Sequence, residues 1–276
     1  MIKIGNYNTL RISRFVDFGA YLAGDNGVEI LLPNKYITEE MAIGQDVEVF
    51  VYTDSEDRLI ATTERPFATV GEFAFLQVKA VNRIGAFLDW GLGKDLLVPF
   101  SEQKIKMKEG GVYPVYVYLD DASKRVVASG KFEKYIGNKF PDLKHGDKVE
   151  IIPYAHTEIG YKAVVNNLYN GMLYDNELFT PITIGIKHDA WVNRVRDDGK
   201  IDLLATGPAQ DRIADLAQKI IEKLVANNGH LTMSDSSAPE EIKSEFNCSK
   251  KDFKKAIGQL FKNKQIVIGD GFIRQV

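Results

Sequence analysis

The stretch LRISRFVDFGAYLA at Leu10–Ala23 joins two apolar runs through Asp17-Phe18-Gly19, and its pattern recurs twice further along the chain. In the first copy it is followed by EILLPNKYI from Glu29 and by VEVFVYTDSEDRLIAT, which ends at Thr62. The second copy runs FLQVKAVNRIGAFLDWG from Phe75, DLLVPFSEQ from Asp95, and VYPVYVYLDDASKRVVAS to Ser129. The third runs VEIIPYAHTEIGYKAVV from Val149, GMLYDNELF from Gly171, and ITIGIKHDAWVNRVRDDGKIDLLA to Ala205. Each copy offers an apolar strand, a turn with glycine (Gly19, Gly85, Gly160), two further strands, a loop, and a long strand that turns into a fifth. Self-similarity of this kind marks repeated structural units.

Local physics supports strands in every copy. Val49, Val51 and Thr53 alternate with Phe50 and Tyr52, and Val115 to Tyr118 repeat the pattern. That is a period of two, rich in β-branched and aromatic residues. The clusters Asp54-Ser55-Glu56-Asp57, Asp120-Asp121-Ala122-Ser123 and Asp197-Asp198-Gly199 each separate a long strand from a short one, as hairpin turns do. Five short strands per copy suit a small closed barrel, because closure removes the unpaired edges of a flat sheet. Asn166-Asn167 and the Tyr169/Tyr174 pair are assigned to turns and core, and Trp90 to packing at a barrel rim.

After Gly207-Pro208 the period changes. Ile213, Leu216, Ala217, Ile220, Ile221 and Leu224 fall at helical spacing, and Asn227-Asn228-Gly229 ends that helix. His230-Leu231-Thr232 reads as a short strand. A second helix starts at Ser237 or Ala238-Pro239, with Glu240 and Glu241 in its first turn. A third, capped by Ser249, carries Phe253, Ile257, Leu260 and Phe261, and a hairpin turning at Gly269-Asp270-Gly271 closes the chain. Three helices and a two-stranded hairpin make a winged helix. The fold class is therefore mainly β: three tandem small five-stranded barrels at 1–63, 64–133 and 134–207, then an α/β winged-helix domain at 208–276.

Composition narrows the classes of function. The 276 residues are 45% hydrophobic and 26% charged, which places the chain among ordinary globular proteins. One cysteine, Cys248, excludes an internal disulfide framework. No signal-peptide core or membrane-length apolar run is present, so a cytoplasmic location and no membrane partner are expected. A monomer is expected as well. The chain lacks GxxxxGK[ST], HExxH, GxSxG and Rossmann glycine patterns, and its four histidines are scattered. No catalysis, no cofactor and no metal are expected.

Net charge is −3, so bulk attraction alone cannot hold a polyanion. Sorted by region, residues 1–63 hold 5 basic and 10 acidic side chains, 64–131 hold 10 and 8, 132–207 hold 9 and 11, and 208–276 hold 11 and 9. The second barrel and the winged helix are the better electrostatic candidates, the first barrel the better aromatic one. A site spread over several modules would combine their weak contacts.

VDFGAYL at Val16–Leu22 resembles the second-strand signature of the S1 domain, an RNA-binding barrel. NRIGAFL at Asn82–Leu88 and TEIGYKA at Thr157–Ala163 are weaker copies. Three such barrels before a winged helix, with DLLVPFSEQ at Asp95–Gln103, are similar to the bacterial conserved virulence factor B family. The resemblance implies S1-like barrels of the oligonucleotide-binding (OB) fold and a non-catalytic regulator that binds single-stranded RNA. It carries the site to Phe18, Tyr21 and Arg58 in the first barrel, and to Phe87 and Arg125 in the second. Ile84 replaces the second barrel's first aromatic, and the third has Ile159, Lys162, Arg196 and Lys200 at the like places. Where many S1 domains place a histidine on strand three, Leu32 and Val98 are expected. From the residues alone, an exposed ring pair follows because Phe18 and Tyr21 cannot both face the core if Ala20 and Leu22 do.

In the third helix of the winged unit, Lys250 and Lys254 share one face and Lys251 and Lys255 the next, giving a basic stripe suited to phosphates. Contact of this helix with nucleic acid or protein is the further expectation. The alternatives are a protein-interaction scaffold and a DNA-binding regulator that uses the winged helix.

Overall fold

The computed structural model describes residues 2–24, 27–178, 182–207 and 209–276. Phe179, the last residue of the third copy's GMLYDNELF, and Pro208, where the fourth unit is expected to start, lie outside the described residues. In the first unit β1 (Asn6–Val16), β2 (Gly19–Ala23), β3 (Glu29–Pro33), β4 (Asp46–Thr53) and β5 (Leu59–Thr62) close in the order β1-β2-β3-β5-β4. Closure is made by the parallel pair β3/β5 at Leu31 and Ile60.

The second unit has β6 (Phe73–Val81), β7 (Gly85–Leu88), β8 (Leu96–Pro99), β9 (Val112–Leu119) and β10 (Val126–Ser129). Its strands follow the same neighbour order, but β8 and β10 lie side by side without a ladder, so this barrel is nearly closed. The third unit has β11 (Lys148–Thr157), β12 (Gly160–Val165), β13 (Tyr169–Tyr174), β14 (His188–Val195) and β15 (Ile201–Leu204) and is closed like the first.

Two local devices recur in all three. The leading strand is bulged at the same step, between Ile12 and Arg14, Val78 and Ala80, and Pro153 and Ala155. The extra residue coils that strand so that it can pair with both neighbours around a tight barrel. The second strand opens on a glycine pressed against the third. A Cβ at Gly19, Gly85 or Gly160 would lie 2.3, 2.2 or 2.0 Å from the carbonyl oxygen of Leu32, Val98 or Leu173. Gly160 also has a φ of +145°, which a side chain would strain.

The barrels are joined by aromatic packing that the period-two pattern of β4 foreshadows. Val49 and Val51 enter the core of the first barrel, while Phe50 and Tyr52, on the opposite face, are buried against the second. There Trp90 meets Phe50 edge-on at 5.4 Å and Tyr52 at 6.3 Å, and its Nε1 donates to the Ala68 carbonyl at 2.7 Å. Trp90 is thus a rim residue that belongs to two barrels, and truncating such a buried ring typically costs about 3–5 kcal/mol. Burial raises the Tyr52 hydroxyl to about 12.

Between the second and third barrels Phe73, Phe132 and Tyr154 form the joint, with Phe73 and Phe132 at 4.8 Å. Asn166 and Asn167 take left-handed backbone angles in the β12–β13 turn, and the Asn167 side chain accepts the Phe73 N–H at 3.0 Å. The turn expected there therefore also clamps a neighbouring barrel.

The last unit contains α1 (Ala209–Ala226), β16 (His230–Leu231), α2 (Pro239–Phe246), α3 (Lys250–Lys262), β17 (Ile266–Gly269) and β18 (Phe272–Gln275), with sheet order β16-β18-β17. Leu216, Ile220 and Leu224 of α1 meet Phe253, Ile257 and Leu260 of α3 in one apolar core. Ser249 caps α3: its hydroxyl accepts the Asp252 N–H at 3.1 Å. No helix among the described residues is long and apolar enough to cross a membrane.

Candidate nucleic-acid interface

In the first barrel Ala20 and Leu22 face the core with no exposure, which turns Tyr21 outward. Phe18, just before the pinned glycine, is 57% exposed and stands edge-on to Tyr21 at 6.3 Å. Across β3 and β5, Leu31 and Ile60 supply an apolar floor, and Asp54 and Arg58 the far wall, of an open groove of about 620 Å³. The Arg58 Nε donates to Asp54 Oδ2 at 2.9 Å, while Asp54 Oδ1 accepts the N–H groups of Glu56 and Arg58 at 2.8 and 3.0 Å. Burial pushes the Asp54 carboxyl up, but the Arg58 guanidinium and these N–H groups outweigh it and hold it below the usual carboxylate range. Arg58 is held in place yet keeps 68% of its side chain in solvent.

The acidic excess of the first barrel is partly cancelled at this groove. Arg14 lies over the Tyr21 ring at 4.2 Å and donates to Glu29 at 2.7 Å, so both groove carboxylates, Glu29 and Asp54, carry an arginine. Arg14 escaped the sequence reading because the bulge in β1 interrupts the alternation that would have placed it. The strand-three expectation is corrected. Leu32 and Val98 are core residues with no exposure, and the outward residues on either side of them are Leu31 and Pro33, and Leu97 and Pro99. Leu32 pairs with Ala20 and Val98 with Ala86, so the two-residue period puts each of them on the buried face.

The other barrels present different surfaces at the like places. In the second, Phe87 is half-buried and Ile84 exposed. Arg125 points away from its own hairpin and pairs with Asp57 of the first barrel, Nη2 to Oδ2 at 2.6 Å. That guanidinium holds the Asp57 carboxyl below its usual range. In the third barrel Ile159 is exposed and Lys162 takes Tyr21's place. Asp202 pairs with Met172 as Ile60 pairs with Leu31, so the floor there is a carboxylate rather than an alkyl chain. It is covered by Arg194, Arg196 and Tyr174, and Lys200 is taken by Asp198 at 2.7 Å.

Of the four lysines in the winged helix, Lys250 is half-buried and donates to the Ser237 carbonyl at 2.8 Å, tying α3 to the loop before α2. Lys254 lies 3.8 Å from Asp235. Lys251 and Lys255 are exposed and, among the described residues, make no ion pair. The stripe therefore divides into one structural lysine, one paired and two open.

A family model for the S1 domain matches residues 4–64 and 70–130, and one for the CvfB-like winged helix domain matches residues 218–274. Conserved virulence factor B of Staphylococcus saprophyticus is 31% identical over 264 residues, covering 91% of this chain and 87% of that protein. Uncharacterized protein YitL of Bacillus subtilis is 29% identical over 280 residues, covering 98% and 93%. Among solved structures, a multidomain protein with nucleic acid binding domains from Streptococcus pneumoniae covers 99% of this chain and 98% of its own, at 23% identity and a TM-score of 0.41. The S1 matches fall on the first two barrels and the winged-helix match on the last unit, in the order the fold displays, and the staphylococcal relative aligns along nearly the whole length. The chain belongs to the conserved virulence factor B family.

Proposed function

We propose that this chain is a non-catalytic, cytoplasmic, monomeric protein that binds single-stranded RNA and regulates gene expression through the transcripts it holds. The first barrel supplies the principal site and the winged helix adds phosphate contacts through Lys251 and Lys255. The observation that carries the reading is the first barrel's groove: an exposed Phe18 and a half-exposed Tyr21 beside a guanidinium held by Asp54 and Glu56 yet largely in solvent, over an apolar floor. Bases stack on such rings at about 1–3 kcal/mol each, and the cation meets the backbone between them. S1 and winged-helix domains in one chain support nucleic acid as the ligand class.

The test is titration of labelled single-stranded RNA, and of DNA of the same sequence, with the wild-type chain and with Phe18→Ala/Tyr21→Ala. The proposal expects RNA to be preferred and the double variant to lose about thirtyfold or more in affinity, ~2 kcal/mol at the least. It expects the folding transition to stay put. Unchanged affinity would assign the rings to packing and overturn the reading. The regulatory role is tested by crosslinking in cells followed by sequencing, which should recover a reproducible set of transcripts.

A further inference from the structure

Arg58 and Arg125 occupy equivalent positions. Each immediately precedes the fifth strand of its barrel, and its carbonyl accepts the N–H of the aspartate that begins the hairpin, Asp54 or Asp120, at 2.9 Å. Their side chains are treated differently. Arg58 folds back on Asp54, whereas Asp120 is already taken by the hydroxyl and N–H of Ser123, at 2.6 and 2.8 Å. The Arg125 fork therefore crosses into the first barrel and grips both oxygens of Asp57.

A guanidinium accepts the two-oxygen edge of a carboxylate or of a phosphate with the same parallel geometry. We propose that the junction of the first two barrels is a backbone-phosphate subsite for a single strand passing from one barrel to the next, held shut by the protein's own Asp57 carboxylate. The subsite rests on the nucleic-acid reading above and extends it to the second barrel.

Three features of the junction fit this role. Arg125 and Asp57 keep 43% and 52% of their side chains in solvent, so the pair is screened and a competing anion can reach it. Lys94 sits alongside, donating to the carbonyls of Thr53 and Asp54 at 2.7 and 2.8 Å. Burial, and then the Arg125 charge nearby, lower its affinity for a proton, while Asp57 and Asp54 partly offset them. Finally, Lys94 and the Trp90 packing hold the barrels together independently, so releasing Asp57 need not part them. The other charges at the two turns are already engaged, Glu56 with Arg58 and Lys124 with Asp121.

Asp57 has a left-handed backbone, φ +65°, which asparagine and glycine also tolerate. Asp57→Asn and Asp57→Gly thus remove the carboxylate without disturbing the turn, and urea midpoints check that they fold. The experiment titrates fluorescein-labelled single-stranded RNA of mixed sequence with the full chain across a salt series. Both variants should bind roughly threefold or more tighter at low salt, and the log–log salt slope should steepen by about 0.7, one added phosphate contact. In an Arg125→Ala background Asp57→Asn should change neither quantity. A gain that persists without Arg125 would be general charge relief and would overturn the subsite, as would unchanged affinity and slope. If the wild type loses affinity on Phe18/Tyr21 truncation yet ignores Asp57→Asn, the subsite alone fails. If the wild type binds no single strand, both readings fail.

Discussion

The first and third barrels are built alike and finished differently. They share strand order, the bulge in the leading strand and the glycine that meets the third strand's carbonyl. On the outward face, Phe18, Tyr21 and Ile60 of the first barrel are answered by Ile159, Lys162 and Asp202 of the third. The frame depends on inward-facing alkyl groups and on close backbone approach, which repeats keep. The site depends on a few outward positions, which are free to change without cost to the core. The third barrel has exchanged an apolar floor for a buried carboxylate covered by two arginines, a structural use of the same surface.

The largest effect expected from this contrast is on binding. Phe18→Ala/Tyr21→Ala should cost about 2–6 kcal/mol of affinity, two stacked bases' worth. Ile159→Ala/Lys162→Ala in the third barrel should change the dissociation constant less than twofold, roughly 0.4 kcal/mol. Equal losses in the two barrels would erase the distinction.

The shared frame is probed next. Gly19→Val and Gly160→Val should each destabilise by about 1–3 kcal/mol in urea unfolding, because the added carbons meet a strand carbonyl that cannot move aside. A neutral result at either would mean that the strands separate locally without penalty.

Asp202 gives a smaller and pH-dependent effect. Its side chain is 4% exposed, and burial raises its carboxyl while Arg196 and Arg194 outweigh burial and leave it below the usual range. The folded value is below the unfolded one, so its contribution is complete above about pH 4 and fades as pH falls through the folded value. Asp202→Asn should cost about 1–2 kcal/mol at neutral pH and flatten the acid limb of the stability curve. An acid limb identical to wild type would place the titration elsewhere. Ile60 has no proton to lose, so Ile60→Val in the first barrel should leave that limb as it is.

The smallest effect belongs to the winged helix. Lys251→Ala/Lys255→Ala should weaken RNA binding only a few-fold while making the salt slope shallower by about 1.4, two phosphates at 0.7 each. Lys250→Ala should instead lower stability through the lost carbonyl contacts at Ser236 and Ser237.

The frame was legible because it is written locally. The period of two in Val49–Thr53, the recurring glycine and the switch to helical spacing at Ile213 each follow from neighbours in the chain. Tyr21 could be placed outward for the same reason. The strand-three position slipped by one residue because Ile30-Leu31-Leu32 is apolar throughout, so composition there does not say which leucine faces in. Arg125 could be located but not its partner, since Asp57 lies 68 residues away and the docking of two barrels decides the contact. The same docking explains why both faces of β4 are apolar, and why Trp90 serves two cores.

The most direct measurement is mapping of ultraviolet crosslinks between the intact chain and single-stranded RNA, with the adducts located by mass spectrometry. The account predicts adducts on the peptide bearing Phe18 and Tyr21, lost when both rings are removed. Adducts confined to the third barrel and the winged helix, with none in the first barrel, would contradict it.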